Sequence, residues 1–536
     1  MKEPEPAEHH TRPVEDADAA TDSDVRTAVV FVHGKGETEH RPYETLDGFV
    51  KTALQPVGAS VAADEQWAYY HSRSPELTGS YEARVYVAPQ LDGASPDQPL
   101  QGRTDVYEYH WQYLMTSSRF AGVVLTTLRL FLRRPSNVPD PLFGIWRAVW
   151  LVVLGTCCLV VPALGLLGYF LGTEFPIWVV GLVASVFLVG GVGLVTRVLS
   201  ALLYSAITTS FIDVARYLDP WMRSYAARRA VRGGLIDLLH DLHGEGRYSR
   251  VVVVAHGVGT YVAYDALTAL WAEYHELSAG PPSPPTPLPV RLDALPDVEQ
   301  AADRLITDPD ALDTFQEHQF ALWRDLRSQG NPWRITDFVT VGAPLALADL
   351  LVNRPGLLAG FKRSDTVERQ SSLDRLVRRG ALVRCPPRSE PQPVEGGEQR
   401  PPSYRLGGRR ARELLGSQAQ FAVTRWTNLW FPVVRGELRG DWFGGELRPL
   451  FGPGIRDIAI TGNTPARHAR GTAHNDYFNH PESADEGDVA WHLRRTLALH
   501  LHAVLEDVST APAPEPSTRI RSSDHQCWQG DSWLLA

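Results

Sequence analysis

The sequence predicts an α/β protein built on a mostly parallel sheet flanked by helices. Three observations carry this: short β-branched runs alternate with helical patterns along the chain; one run breaks into a small-residue turn that opens a helix; and two long uncharged segments interrupt the alternation. At 536 residues the chain has room for one large domain with insertions, or for two or three smaller ones.

The expected strands are Ala28–His33, Arg84–Val87, Asp105–Trp111, Arg250–Ala255, Ile335–Val341, Arg425–Trp430 and Ile455–Ile460. Each is a run of β-branched and aromatic residues bounded by turn formers. Helical periodicity marks Tyr43–Leu54, Tyr225–Leu242, Tyr261–Tyr274, Phe315–Arg327 and Val489–Leu505. One domain over 27–508 follows, between a disordered acidic tail at 1–26 and a C-terminal tail at 509–536. A Pro-rich loop at 279–298 and a Pro/Gly/Glu-rich loop at 386–403 interrupt it.

The uncharged segments lie between Val149 and Thr196, where Glu174 is the only charge. The runs 149–172 and 176–196 are separated by Thr173-Glu174-Phe175 and as helices span about 31–36 Å, enough for the hydrocarbon core of a bilayer. A transmembrane hairpin over 147–197, inserted into the sheet domain, is therefore expected. Arg133, Arg134 and Arg147 precede it and Arg197, Arg216 and Arg223 follow. The positive-inside rule then makes the N- and C-terminal parts cytoplasmic and sets the Glu174 turn outside. The preceding Phe120–Arg134 stretch reads equally as a membrane-surface helix or a core-facing one.

A net charge of −10 gives no reason to expect a nucleic-acid partner. Four cysteines form no disulfide framework and no zinc-ligand spacing, and no cofactor is called for. His468, His474 and His480 recur every six residues, which places them on no common helix face.

Chemistry is written in four segments. Val29-Val-Phe-Val-His33-Gly34-Lys35-Gly36 is a strand entering an HGxG turn, of a kind that lends a backbone N–H from Gly34 or Lys35 to a developing oxyanion. Val251-Val-Val-Val-Ala-His256-Gly257-Val258-Gly259-Thr260 is the strand–turn–helix of a nucleophile elbow, with Val258 N–H as the second donor and Gly257 at the nucleophile position. Asp441-Trp-Phe-Gly-Gly445 offers an acid, with Glu437 and Asp457 as alternatives, and Ala473-His474-Asn-Asp-Tyr477 offers a base. His256 reads as a packing and hydrogen-bonding residue, and Lys35 as a solvated side chain at a loop tip.

In the order nucleophile position, acid, base, these segments resemble the α/β-hydrolase superfamily, in particular its lipase- and esterase-like members with an A-H-S-x-G-T elbow. Val339-Thr-Val-Gly-Ala-Pro-Leu345 is similar to that family's V-T-x-G-S-P-L turn. The resemblance covers most of 27–505 outside the hairpin and the two loops, and it implies an acyl-ester or lipid ligand. Its departure is Gly257: a glycine has no hydroxyl, so no acyl-enzyme forms there. Two readings follow, a hydrolase-fold module that binds without ordinary catalysis, or an esterase or lipase. The second requires that position 257 be serine in the parent enzyme, or that His474 activate a water.

Overall fold

The computed structural model describes residues 27–34, 48–50, 52–53, 71–72, 76–77, 80–87, 104–111, 114, 132–172, 217, 222–244, 246–275, 292–348, 377, 382–387, 403–406, 412–462, 465–468, 473–479 and 487–497. Within 156–172, side chains are described only at Cys158, Pro162, Gly165, Leu166 and Tyr169.

All seven expected strands are present, within two residues of their expected limits. They are β1 (Thr27–Val32), β4 (Glu82–Val87), β5 (Thr104–His110), β6 (Arg250–His256), β7 (Ile335–Val341), β10 (Arg425–Trp430) and β11 (Ile455–Ala459). Four short strands lacked a readable pattern: β2 (His71–Ser72), β3 (Glu76–Leu77), β8 (Ser403–Leu406) and β9 (Arg412–Leu415). Two residues are too few to show alternation, and β8 and β9 form a separate antiparallel pair.

Among the described residues the main sheet has nine strands in the order β11-β10-β7-β6-β1-β5-β4-β2, with β3 also paired to β4. From β11 to β5 every pairing is parallel; β4 turns antiparallel at the edge. Strands β1, β6 and β7 are buried along their whole length, as expected for a parallel sheet covered on both faces. Alternation sorts their side chains. Val30, Val32, Val253 and Ala255 join one core, and Val29, Phe31, Val252 and Val254 join the other.

The first core is covered by α1 (Asp140–Gly172), α2 (Met222–Gly244), α3 (Gly259–Tyr274), α4 (Leu295–Arg304) and α5 (Leu312–Ser328). Leu235 and Leu239 of α2, Tyr261 and Leu267 of α3, and Leu322 and Trp323 of α5 are fully buried in it. The second core is closed by Phe49, Val50 and Ala53, by the 473–478 segment through Ala473, Tyr477 and Phe478, and by α7 (Val489–Leu497) through Val489, Leu493 and Leu497. The short helix α6 (Arg448–Phe451) packs on the first core through Phe451.

Two expectations change. The stretch 279–298 is not loop throughout: α4 starts at Leu295, with Pro296 in its first turn, where a missing N–H costs no helix bond. The hairpin is also not seen as such. Its first run is the distal part of α1, a 33-residue helix that begins at Asp140, nine residues before the apolar run. Leu142, Ile145 and Val149 root that helix in the first core. Among the described residues no helix is long and apolar enough to cross a membrane. The run 176–196, the tails 1–26 and 509–536, the stretch 120–131, most of 386–403 and most of Tyr43–Leu54 lie outside the described residues.

Candidate functional site

Because six neighbouring strands, β11 to β5, are parallel, their C-terminal ends share one edge, and every candidate segment leaves the sheet there. β1 lies between β5 and β6: β2, β4 and β5 approach it from one edge in chain order, and β6, β7, β10 and β11 continue away from it toward the other.

Gly257 follows β6 with φ +53, a left-handed conformation in which side chains are strained. Its N–H donates to Val341 O (3.2 Å), and its carbonyl accepts from Thr260 N (3.1 Å) and Thr260 Oγ1 (2.7 Å). Strand, tight turn and helix α3 are thus joined by hydrogen bonds within four residues. The turn after β1 packs against this elbow backbone to backbone. A Cβ at Gly34 would stand 2.2 Å from His256 O and 2.8 Å from Val258 N, and one at Gly259 would stand 2.2 Å from Val32 O. Only glycine fits at either place. The structure therefore brings Gly34 and Val258 together; Lys35 lies outside the described residues.

His474 and Asp441 meet although 33 residues separate them. The His474 Nδ1 lies 3.0 Å from both carboxylate oxygens of Asp441, and both side chains are buried. Asp441 Oδ1 accepts from Phe443 N (2.8 Å) and Oδ2 from Tyr477 Oη (2.8 Å). Burial pushes this carboxyl up. The His474 charge and hydrogen bond, with the N–H groups of Gly444 and Phe443, outweigh burial and bring it below its ordinary value. A carboxylate on Nδ1 fixes the tautomer that leaves Nε2 as the free acceptor. That Nε2 points at the elbow: a Cβ built on Gly257 would lie 3.1 Å from it.

The rival acids are elsewhere. Asp457, on β11, accepts from Asn428 Nδ2 (2.7 Å) and from the N–H groups of Leu447 (3.0 Å) and Arg448 (2.7 Å), so it caps α6. Burial pushes it up to about 6 despite these donors. Glu437 is exposed, and its carbonyl lies against Gly144 of α1.

His256 holds the base loop. Its Nε2 donates to His474 O (2.8 Å), and its ring stacks on the His474 ring at 5.1 Å between centroids. Burial, reinforced by the neighbouring His474, lowers it to about 3, so it stays neutral. Across β1, His33 stacks on Trp111, whose Nε1 donates to His33 O (3.1 Å). Beside them His110 Nε2 bonds Glu108 Oε2 (2.9 Å).

Sequence reasoning missed Tyr477 as a functional side chain. Its hydroxyl donates to Asp441 and accepts from Phe431 N (3.0 Å), and its ring stacks on Phe431 at 4.4 Å. Gly342, at the end of β7 with φ +54, makes room: a Cβ there would stand 2.7 Å from the Tyr477 ring and 2.9 Å from Asp441 Oδ2. The available signal was a tyrosine three residues after the candidate base, one turn away in a polar loop. Its partner lay in another segment and was not readable from the sequence.

Chemically the arrangement is an oriented imidazole with one lone pair facing a residue that has no side chain. Such a base can accept a proton from a hydroxyl or a water placed beside Gly257, or a hydrogen bond from a ligand. Compared with protein-family models, curated proteins and solved structures, the chain matches none.

Proposed function

We propose that this chain is a membrane-anchored member of the α/β-hydrolase group that binds an acyl-ester or lipid ligand without forming an acyl-enzyme. The observation that carries the reading is Gly257 at φ +53 facing the Nε2 of an Asp441-oriented His474. Gly34, Val258, Asp441 and His474, which that reading needs besides a nucleophile, lie around this position. Glycine also relieves a backbone conformation that costs other residues about 1–3 kcal/mol, so its presence favours stability over turnover.

Membrane anchoring is supported by the exposed apolar side chains of α1 beyond its root. Leu151, Leu154, Leu166 and Tyr169 are all more than half exposed. Trp146 and Trp150 are half-buried on the turns of α1 that still touch the core, next to the exposed Leu151, a place that suits interfacial aromatics. With 176–196 as the returning span, the site-bearing parts are cytoplasmic.

A second reading, hydrolysis through a His474-activated water or through a serine at position 257 in a parent enzyme, is favoured by the intact His474–Asp441 pair. A pure binding module has no need of a fixed tautomer. One comparison separates the two: the chain as it stands and Gly257→Ser, each assayed for short-chain ester hydrolysis and for labelling by a fluorophosphonate. Labelling confined to the serine form supports the binding module. Ester turnover by the glycine form at a comparable rate defeats it. Absence of reaction in both removes the catalytic ancestry of the dyad.

A further inference from the structure

The loop that carries Asp441 is fastened to the root of α1. Arg147 Nη2 donates to Gly436 O (2.6 Å), and the Arg435 guanidinium pairs with Asp140, donates to Pro135 O (3.2 Å) and lies 4.3 Å from the Phe143 ring centroid. Gly144 lets the two backbones touch: a Cβ there would stand 2.0 Å from Glu437 O. The outer side of this junction has a consistent character. Val434 is 63% exposed at the loop tip, and Leu151, one turn beyond Arg147, is 64% exposed on the helix. Around them Arg134, Arg147, Arg435 and Arg439 are exposed, against two exposed acids, Asp140 and Glu437.

We infer that the 431–440 loop is a second membrane-contact element, resting on the headgroups of an anionic leaflet with Val434 inserted among them. The inference rests on the membrane reading of α1. Leu151 is four residues from Arg147, about 6 Å along the helix, so a bilayer holding Leu151 has its headgroup layer at the level of the loop. The arginine excess, two more cations than acids, matches an anionic surface, and an exposed valine beside it matches the acyl boundary. A soluble protein partner would account for Val434 but not for its continuity with the apolar helix. Asp441 follows this loop directly in the chain, so the proposed lipid contact adjoins the dyad in sequence.

The test uses the full chain with Cys157, Cys158 and Cys527 changed to serine, reconstituted into vesicles of phosphatidylcholine alone or with three parts in ten phosphatidylglycerol. An environment-sensitive nitrobenzoxadiazole probe is placed by Val434→Cys or, separately, by Leu151→Cys, and quenched by lipid carrying a nitroxide near the headgroup. Quenching at both positions is expected, with the position-434 signal stronger in the anionic vesicles and weakened by about 1 M salt. Arg439→Glu, an exposed position whose side chain is not part of the dyad, should lower the lipid-docked to undocked ratio of the loop about fivefold or more. Quenching at 151 without quenching at 434 overturns the inference and leaves the membrane reading standing. Quenching at neither overturns both. A position-434 signal that responds to protein concentration and not to lipid assigns the patch to a second copy and overturns the inference. Insensitivity to salt and to Arg439→Glu overturns it as well.

Discussion

The two ends of the parallel sheet both bury charge, and they do it differently. At the N-terminal ends of the strands, Arg250 Nη2 lies 2.6 Å and Arg425 Nη2 2.8 Å from the Asp337 carboxylate, and Thr336 adds a hydroxyl donor. Burial raises that carboxyl, and Arg425 with Arg250 brings it down to about 2. At the C-terminal ends, Asp441 is just as enclosed, with donors from Phe443, Gly444, Tyr477 and His474. The difference is at the outer atom. The Asp337 cluster spends its cations on one carboxylate and on its neighbours, a closed arrangement that holds strands together. The Asp441 cluster leads outward through an imidazole whose Nε2 faces Gly257. The same physics, a buried carboxylate satisfied on every side, is structural where the network closes and chemical where it ends on a base.

The strongest way to sharpen this comparison is to give the open end a nucleophile. Gly257→Ser should raise ester turnover toward the about 10⁶-fold that a serine of this kind contributes, with fluorophosphonate labelling as the direct readout. The new side chain is strained by the positive φ and close to the His474 ring, so a loss of about 1–3 kcal/mol in denaturant stability should accompany it. In that serine background Asp441→Asn should lower turnover about 10⁴-fold with little change in ligand affinity, because the amide no longer selects the tautomer. An effect of about tenfold or less would show that another group orients the base.

The closed end predicts a loss of stability without a loss of chemistry. Arg250→Met leaves Asp337 with Arg425 alone in a buried position, and about 3–5 kcal/mol should disappear from the unfolding free energy, measured by urea titration. Labelling of the folded fraction of the Gly257→Ser protein should be unchanged by it. Tyr477→Phe should cost about 1.5–3 kcal/mol, a charged hydrogen bond, and in the serine background should also shift the pH dependence of turnover. A stability loss without that shift would make Tyr477 a packing residue only.

The smallest expected effect is a slope. Neutral His256 is held near 3 in the folded chain against 6.5 as the ordinary value. The unfolded chain therefore takes up a proton that the folded chain refuses as pH falls through 6.5 toward 3, and stability falls with it. His256→Gln keeps a donor for His474 O and removes the titration. Between about pH 5.5 and 4 its unfolding free energy should fall less steeply than the parent's, by about 1.4 kcal/mol per pH unit. Equal slopes would place the His256 ring elsewhere.

Much of the site was legible in the sequence because its parts are local. A β-branched run into His256-Gly257-Val258-Gly259 can only be a strand, a turn and a helix, and His33-Gly34 ends a strand in the same way. Strand existence was readable for the same reason, since a buried parallel strand needs a continuous apolar run. The two-residue strands, the β8–β9 pair and α4 were not, because short or mostly polar segments take their structure from what they pack against. The acid showed the limit most clearly. Glu437, Asp441 and Asp457 are equivalent as letters, and nothing local says that Asp457 caps α6 while Asp441 meets a histidine 33 residues on. The extent of α1 was partly hidden too, because Leu142, Ile145 and Val149 bury a face whose core lies in other segments.

By itself, then, the sequence determined the alternating α/β plan, the absence of a hydroxyl at position 257 and the long apolar runs, because backbone preference, side-chain identity and hydrophobic length are carried by neighbouring residues. Tertiary structure alone decided that Asp441 is the carboxylate on His474, that Tyr477 and Gly342 hold it there, that His256 pins the base loop, and that α1 grips the acid loop. Those are pairings between distant segments, made where parallel strands end at one edge, and only the folded sheet brings their ends together.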